Sequence, residues 1–129
     1  MASGSHQRKK KNQTKIVKRT IKYLASAPDS NVVRAVLDKA PEGVYKAISN
    51  AALNAREGEV HIPPHLKHIF RHHSKHFDIL TDTQRPHAHK RRLILQQGGA
   101  LPIIVPLLAT VLGSLGGEFI SRIFRKNNE

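Results

Sequence analysis

Apolar residues recur along most of this chain at intervals of three and four, the period of a helix with one buried face. Ile16, Val17, Ile21 and Leu24 predict a first helix that ends at Ala27-Pro28. Asp29 or Ser30 is placed to cap a second, with an expected buried stripe of Val32, Val33, Val36 and Leu37. Pro41 opens a third, since proline suits a first turn where its missing N–H would have no partner. The face of that helix is Val44, Ile48, Ala51, Ala52 and Ala55, and Gly58 ends it. From Pro64, the residues Leu66, Ile69, Phe70, His73, Phe77 and Leu80 form one continuous face of a fourth helix. After a turn at Asp82 to Pro86, a basic segment from Arg85 to Arg92 runs into Leu93-Ile94-Leu95 and stops at Gly98-Gly99. No segment of useful length alternates with period two. The expected fold class is all-α, a small bundle of three to four short helices.

The two ends read differently. Met1 to Thr14 has almost no apolar side chain to offset its ordering entropy and is expected to be a disordered basic arm. Residues 15–97 form the helical basic domain, 98–117 an apolar segment punctuated by Gly and Pro, and 118–129 a cationic amphipathic tail. Between Arg92 and Glu118 there is no charged residue. Within this stretch Leu101, Ile103, Ile104, Val105, Leu107 and Leu108 show no polar face, and Pro102, Pro106 and Gly113 interrupt it. It falls short of the roughly 20 apolar residues a spanning helix needs. Two readings stay open: ordinary core of the helical domain, or a surface that meets membrane lipid or a capsid protein. The tail, with Phe119, Ile123 and Phe124 opposite Arg122, Arg125 and Lys126, suits an interfacial location in the second reading.

Charge narrows the choice of partner. The 129 residues hold 22 Lys+Arg against 9 Asp+Glu, a formal net charge of +13. Such a surface attracts polyanions, because each phosphate it neutralises releases condensed counterions. The candidate phosphate contacts are Arg8, Lys9, Lys10, Lys11, Lys15, Lys18, Arg19 and Lys22, then Lys67, Arg71 and Lys75, then Arg85, Lys90, Arg91 and Arg92. No recognition-helix, zinc-finger or RNA-recognition motif accompanies them, so the expected partner is double-stranded DNA bound without regard to sequence.

Other chemistry is thin. The absence of Cys excludes a disulfide scaffold, a thiolate zinc site and a thiol nucleophile. Six Phe and Tyr with no Trp argue against a base-stacking sheet. There is no Gly-x-Ser-x-Gly, no paired-carboxylate cluster and no Lys-Ser/Thr after either Gly-Gly pair, so the chain reads as nonenzymatic and implies no cofactor. His68, His72 and His76, each four apart, could chelate a metal, but no carboxylate or Cys nearby completes a set, and no metal is assigned. They also read as a solvated flank beside Lys67, Arg71 and Lys75, or as groups that add charge on acidification.

The run Gly98-Gly99-Ala100-Leu101-Pro102-Ile103-Ile104-Val105-Pro106-Leu107-Leu108-Ala109, closing with Gly113, resembles the C-terminal part of the adenovirus mu core-protein precursors. There too a basic segment, here Arg85-Pro86-His87-Ala88-His89-Lys90-Arg91-Arg92, leads to Gly-Gly, Leu-Pro and an apolar stretch. Upstream, Val33-Arg34-Ala35-Val36-Leu37-Asp38-Lys39-Ala40-Pro41 and Ile48 to Asn54 are similar to small proteins of adintoviruses, elements of the Polinton/Maverick type. The resemblance covers about residues 30–117, most clearly 85–117. It implies a minor virion protein that condenses packaged DNA, located in the virion and the host nucleus. It further implies a viral maturation protease cutting after Gly99 in Gln96-Gln97-Gly98-Gly99, where Gln96 stands in place of the usual aliphatic residue. A free apolar segment would then be available to membrane or capsid.

Overall fold

The computed structural model describes residues 2–26, 28–58, 60–96, 101–116, 118, 119 and 121, with side chains from Thr14 onward, Leu101 excepted. Among these residues every element is a helix: α1 (Ala2–Ala25), α2 (Ser30–Asp38), α3 (Glu42–Arg56), α4 (Pro64–His72), α5 (Ser74–Thr81), α6 (His87–Leu95) and α7 (Leu101–Leu115). The all-α class therefore holds, with seven helices where three to four were expected.

Three of the differences from expectation have physical explanations. The chain from Ala2 to Thr14, expected as an arm, continues α1 as helical backbone. Packing of Val17, Ile21 and Leu24 nucleates α1, and the preceding Lys, Arg and Gln extend it at one hydrogen bond per residue fixed. The single fourth helix divides at His73, whose ψ of 34° leaves the helical range. The apolar register survives the division because no residue is inserted, but the halves serve different partners: α4 packs on α7, and α5 packs on α3. Most of the Gly/Pro-punctuated apolar segment forms α7. Pro102 falls in its first turn, where proline is tolerated. Pro106 lies inside the helix, and the Thr110 hydroxyl donates to its carbonyl at 2.7 Å.

Helices α3 and α7 form the middle of the bundle. α7 packs against α1, α2, α3 and α4, while α3 meets α1, α5, α6 and α7. Ile103, Ile104, Leu107, Leu108 and Val111 are completely buried, as are Val44, Ile48, Ala51 and Ala52 of α3. The outward face of α7 carries Pro102, Ala109, Gly113 and Ser114, so its two sides differ in size more than in polarity. Phe119, just beyond α7, is also buried in the core. Of the stripes expected from periodicity, Val33 and Leu37 face inward, while Ile16 and Val32 point to solvent.

Two glycines are required by geometry. Gly43 lets α3 approach α1, since a Cβ there would lie 2.8 Å from Val17 Cγ2. Gly58 takes φ 77°, a left-handed conformation that closes α3 as its position in the sequence suggested.

Each of the fully buried α7 side chains is worth roughly 1.5–3 kcal/mol against exposure. Leu107→Ala and Leu108→Ala should therefore each lower unfolding stability by about 2–5 kcal/mol. Ala109→Ser, on the outward face, should stay within about 0.5 kcal/mol. Urea titration followed by circular dichroism at 222 nm checks the difference. Equal, small effects at all three positions would show that α7 is not part of the core.

Candidate nucleic-acid interface

The inward stripe of α1 dictates where its charges go. With Val17, Ile21 and Leu24 buried, Lys15, Lys18, Arg19 and Lys22 are all exposed on the other side of the helix, alongside Ile16 (50% exposed) and Tyr23 (46%). The same logic acts on α4 and α5. Phe70 and Leu80 turn inward, and Lys67, Arg71 and Lys75 turn out, together with His65, His68 and His72. Arg8, Lys9, Lys10 and Lys11 lie on the α1 backbone, with side chains outside the described residues.

Three ion pairs form between described residues: Arg56–Asp78 at 3.1 Å, Arg85–Asp82 at 3.6 Å and Arg91–Asp38 at 3.9 Å. None involves a cation of α1, nor Lys67, Arg71 or Lys75. Among the described residues those seven side chains form no ion pair.

The third basic cluster, on α6, is different. Arg91 donates to the Asp38 carbonyl, pairs with the Asp38 carboxylate, and lies 5.9 Å from the centre of the Tyr45 ring. Tyr45 in turn donates to the Leu37 carbonyl. Burial pushes the Tyr45 hydroxyl above the ordinary phenol range; the Arg91 charge opposes this and the Asp38 charge adds to it. Arg91 thus joins α6 to α2 and α3, and only part of it remains for a ligand. Arg92 is exposed. Arg85, just before α6, is half-buried against Asp82, with NH1 3.4 Å from His89 Nδ1.

Lys90 is not at the surface at all. It is 3% exposed, and its Nζ donates to Ser49 Oγ of α3 at 3.0 Å. Burial pulls its pKa below the ordinary lysine value; Asp82 opposes that pull and Arg85 reinforces it. His87, one turn earlier, is held below the imidazole range by burial first and by the Lys90 charge second, and its Nδ1 is buried without a partner. Lys90, expected among the phosphate contacts, is therefore an interior group that fastens α6 to α3. The basic run gave no sign of this, because Ser49 lies 41 residues away in sequence. Arg34 was equally hidden: its NH1 donates to the Leu95 carbonyl at 2.7 Å, satisfying the end of α6 across 61 residues.

The expected membrane or capsid contacts fall mostly inside the protein. Ile103, Ile104, Leu107, Leu108 and Phe119 are buried and Val105 is half-buried, while the Leu101 side chain, Ile123 and Phe124 lie outside the described residues. So do Gly98 and Gly99, the expected cleavage point. Among the described residues no helix is long and apolar enough to cross a membrane, and no three His, Asp or Glu are placed to hold a metal ion.

The lowered pKa of Lys90 fixes a sign. The folded state prefers the neutral amine, so this group's contribution to stability grows as pH rises through its folded pKa towards the ordinary lysine value. Lys90→Met should be as stable as the parent or more so, and should lose that pH dependence. Ser49→Ala, which strips the ammonium of its hydroxyl, should cost about 1–3 kcal/mol. Urea titrations between pH 7 and 10 read both effects.

No protein-family model, curated protein or solved structure matches this chain.

Proposed function

We propose that this chain is a nonenzymatic, sequence-nonspecific DNA-binding protein that condenses duplex DNA as a minor component of a virion, acting there and in the host nucleus. One observation carries the DNA-binding part: Lys15, Lys18, Arg19, Lys22, Lys67, Arg71 and Lys75 are exposed on the outer faces of α1, α4 and α5, and none takes part in an ion pair between described residues. Holding so many like charges on two scaffolded faces disfavours the free protein through self-repulsion and favours any phosphate backbone that relieves it. The sequence carries no recognition-helix or zinc-finger motif, which suits backbone contact without base readout. Arg92, with part of Arg85 and Arg91, adds to the surface; Lys90 does not. The virion and nuclear placement follows the resemblance to the mu precursors and adintovirus proteins.

Processing after Gly99 by a viral maturation protease belongs to the same reading. The cut would fall one residue ahead of α7, and α7 is interior. The product would therefore stay assembled as a two-chain bundle, and membrane or capsid contact by α7 would require it to leave the core. A protein cleaved at this point should elute as one species from a sizing column under native conditions and separate into two only in denaturant. Separation under native conditions would show that the segment is released on cleavage.

DNA binding is tested by titrating unrelated duplexes of equal length at several salt concentrations. Affinity should be indifferent to sequence and fall steeply with salt, with a log–log slope of about −0.9 for each phosphate neutralised. Replacing Lys15, Lys18, Arg19 and Lys22 together by Gln should flatten that slope by roughly two to four and leave the helical content unchanged. Salt-independent affinity would refute the reading.

A further inference from the structure

Between His65 and His76 the chain carries five imidazoles (His65, His68, His72, His73 and His76), the three fixed cations Lys67, Arg71 and Lys75, and no carboxylate. The fold gathers the last three imidazoles at the α4–α5 junction. The His73 ring stands edge-on to His72 with centroids 5.0 Å apart, and lies 5.8 Å from His76. His73 and His76 are half-buried, and His76 Nδ1 is buried with no hydrogen-bond partner. His73 is also the residue at which the two helices part.

We propose that the α4–α5 pair is an acid-sensitive clasp over α7, closed while its imidazoles are neutral and released when they are protonated. Protonation would put adjacent positive charges on rings already in contact and add a second donor to a His76 ring whose Nδ1 has no partner even when neutral. Among the described residues no ion pair reaches these rings. α4 contributes Lys67 and Arg71, and α5 contributes Lys75 and Asp78, the latter held by Arg56 of α3. Beyond α5, Asp82 is held by Arg85, and α6 presents His87 and Lys90. α7, the surface that α4 covers, has no charged residue at all.

The shift on His73 agrees in sign. Burial, then the charges of His72 and His76, hold its pKa below the ordinary imidazole value. A histidine depressed in this way contributes stability at neutral pH that is lost as pH falls below about 6.5. The bond that yields is local, because α4 and α5 are short helices while α1 and α3 are tied to α7 independently. What acid uncovers is therefore the part of the apolar α7 surface that α4 covers, while α1 and α3 stay packed on the rest.

The test uses the full chain, without polyanion, at pH 7.5 and pH 5.0. Hydrogen exchange, corrected for the intrinsic pH dependence of the amide chemistry, should show at least a tenfold loss of protection in peptides of α4, α5 and α7 at pH 5.0. Peptides of α3 should keep theirs, and binding of the neutral apolar dye Nile red should rise. A variant carrying His72→Gln, His73→Gln and His76→Gln should keep its protection at pH 5.0. Lys67→Gln with Arg71→Gln, which leaves the rings in place and thins the fixed charge, should move the transition to lower pH. Protection that is unchanged at pH 5.0, lost equally in the triple Gln variant, or lost uniformly across all helices would overturn the clasp. These results are independent of whether the protein binds DNA.

Discussion

The structure rests on the need to hide α7. Fifteen residues with no charge and only Thr110 and Ser114 to offer side-chain polarity cannot stand in water beside so basic a chain, and the other helices are arranged to cover them. α1, α2, α3 and α4 all touch α7, and α3 also packs against α5 and α6. Without α7 the remaining helices would lose a common partner. A domain of this length buries a modest fraction of its surface, so a loss of that size would not be absorbed elsewhere.

The same demand sorts the charge. Once the apolar side of each outer helix has turned towards α3 and α7, its lysines and arginines have only the solvent side left, and few carboxylates to meet there. The basic surface is thus a by-product of core formation in a sequence short of acid. Lys90 is the exception that shows the rule's cost. Interior, with a hydroxyl for company, it is drawn towards its neutral form. Arg91 next to it solves the same problem differently, lying against the Tyr45 ring while holding Asp38. Adjacent residues of one basic run therefore have unrelated duties.

At the α4–α5 junction three imidazoles lie side by side, with His73 and His76 half-buried. Imidazoles are the one cationic side-chain type that can pack against one another and against an apolar helix at pH 7, then cease to do so on mild acidification. Lysines at the same places would have to lose their charge to be packed, as the lowered pKa of Lys90 illustrates, and glutamines would pack at any pH.

Much of the fold was legible in the linear pattern. Period 3.6 located α2, α3 and the α4–α5 register, Pro41 and Pro64 marked helix starts, and Gly58 marked a helix end, because these signals are local and act through backbone geometry. The excess of lysine and arginine likewise raised, with no structure, the expectation of a polyanionic partner. The sequence could not say that Pro106 would sit inside a helix, since that depends on neighbours strong enough to hold the helix together. Nor could it tell core from lipid contact for Ile103 to Leu108: both environments select the same aliphatic residues, and only the presence of α1, α3 and α4 around them decides. The fates of Lys90, Arg91 and Arg34 were invisible for a related reason. Their partners Ser49, Asp38 and Leu95 lie 41, 53 and 61 residues away, and burial or pairing at that distance exists only once the chain has folded.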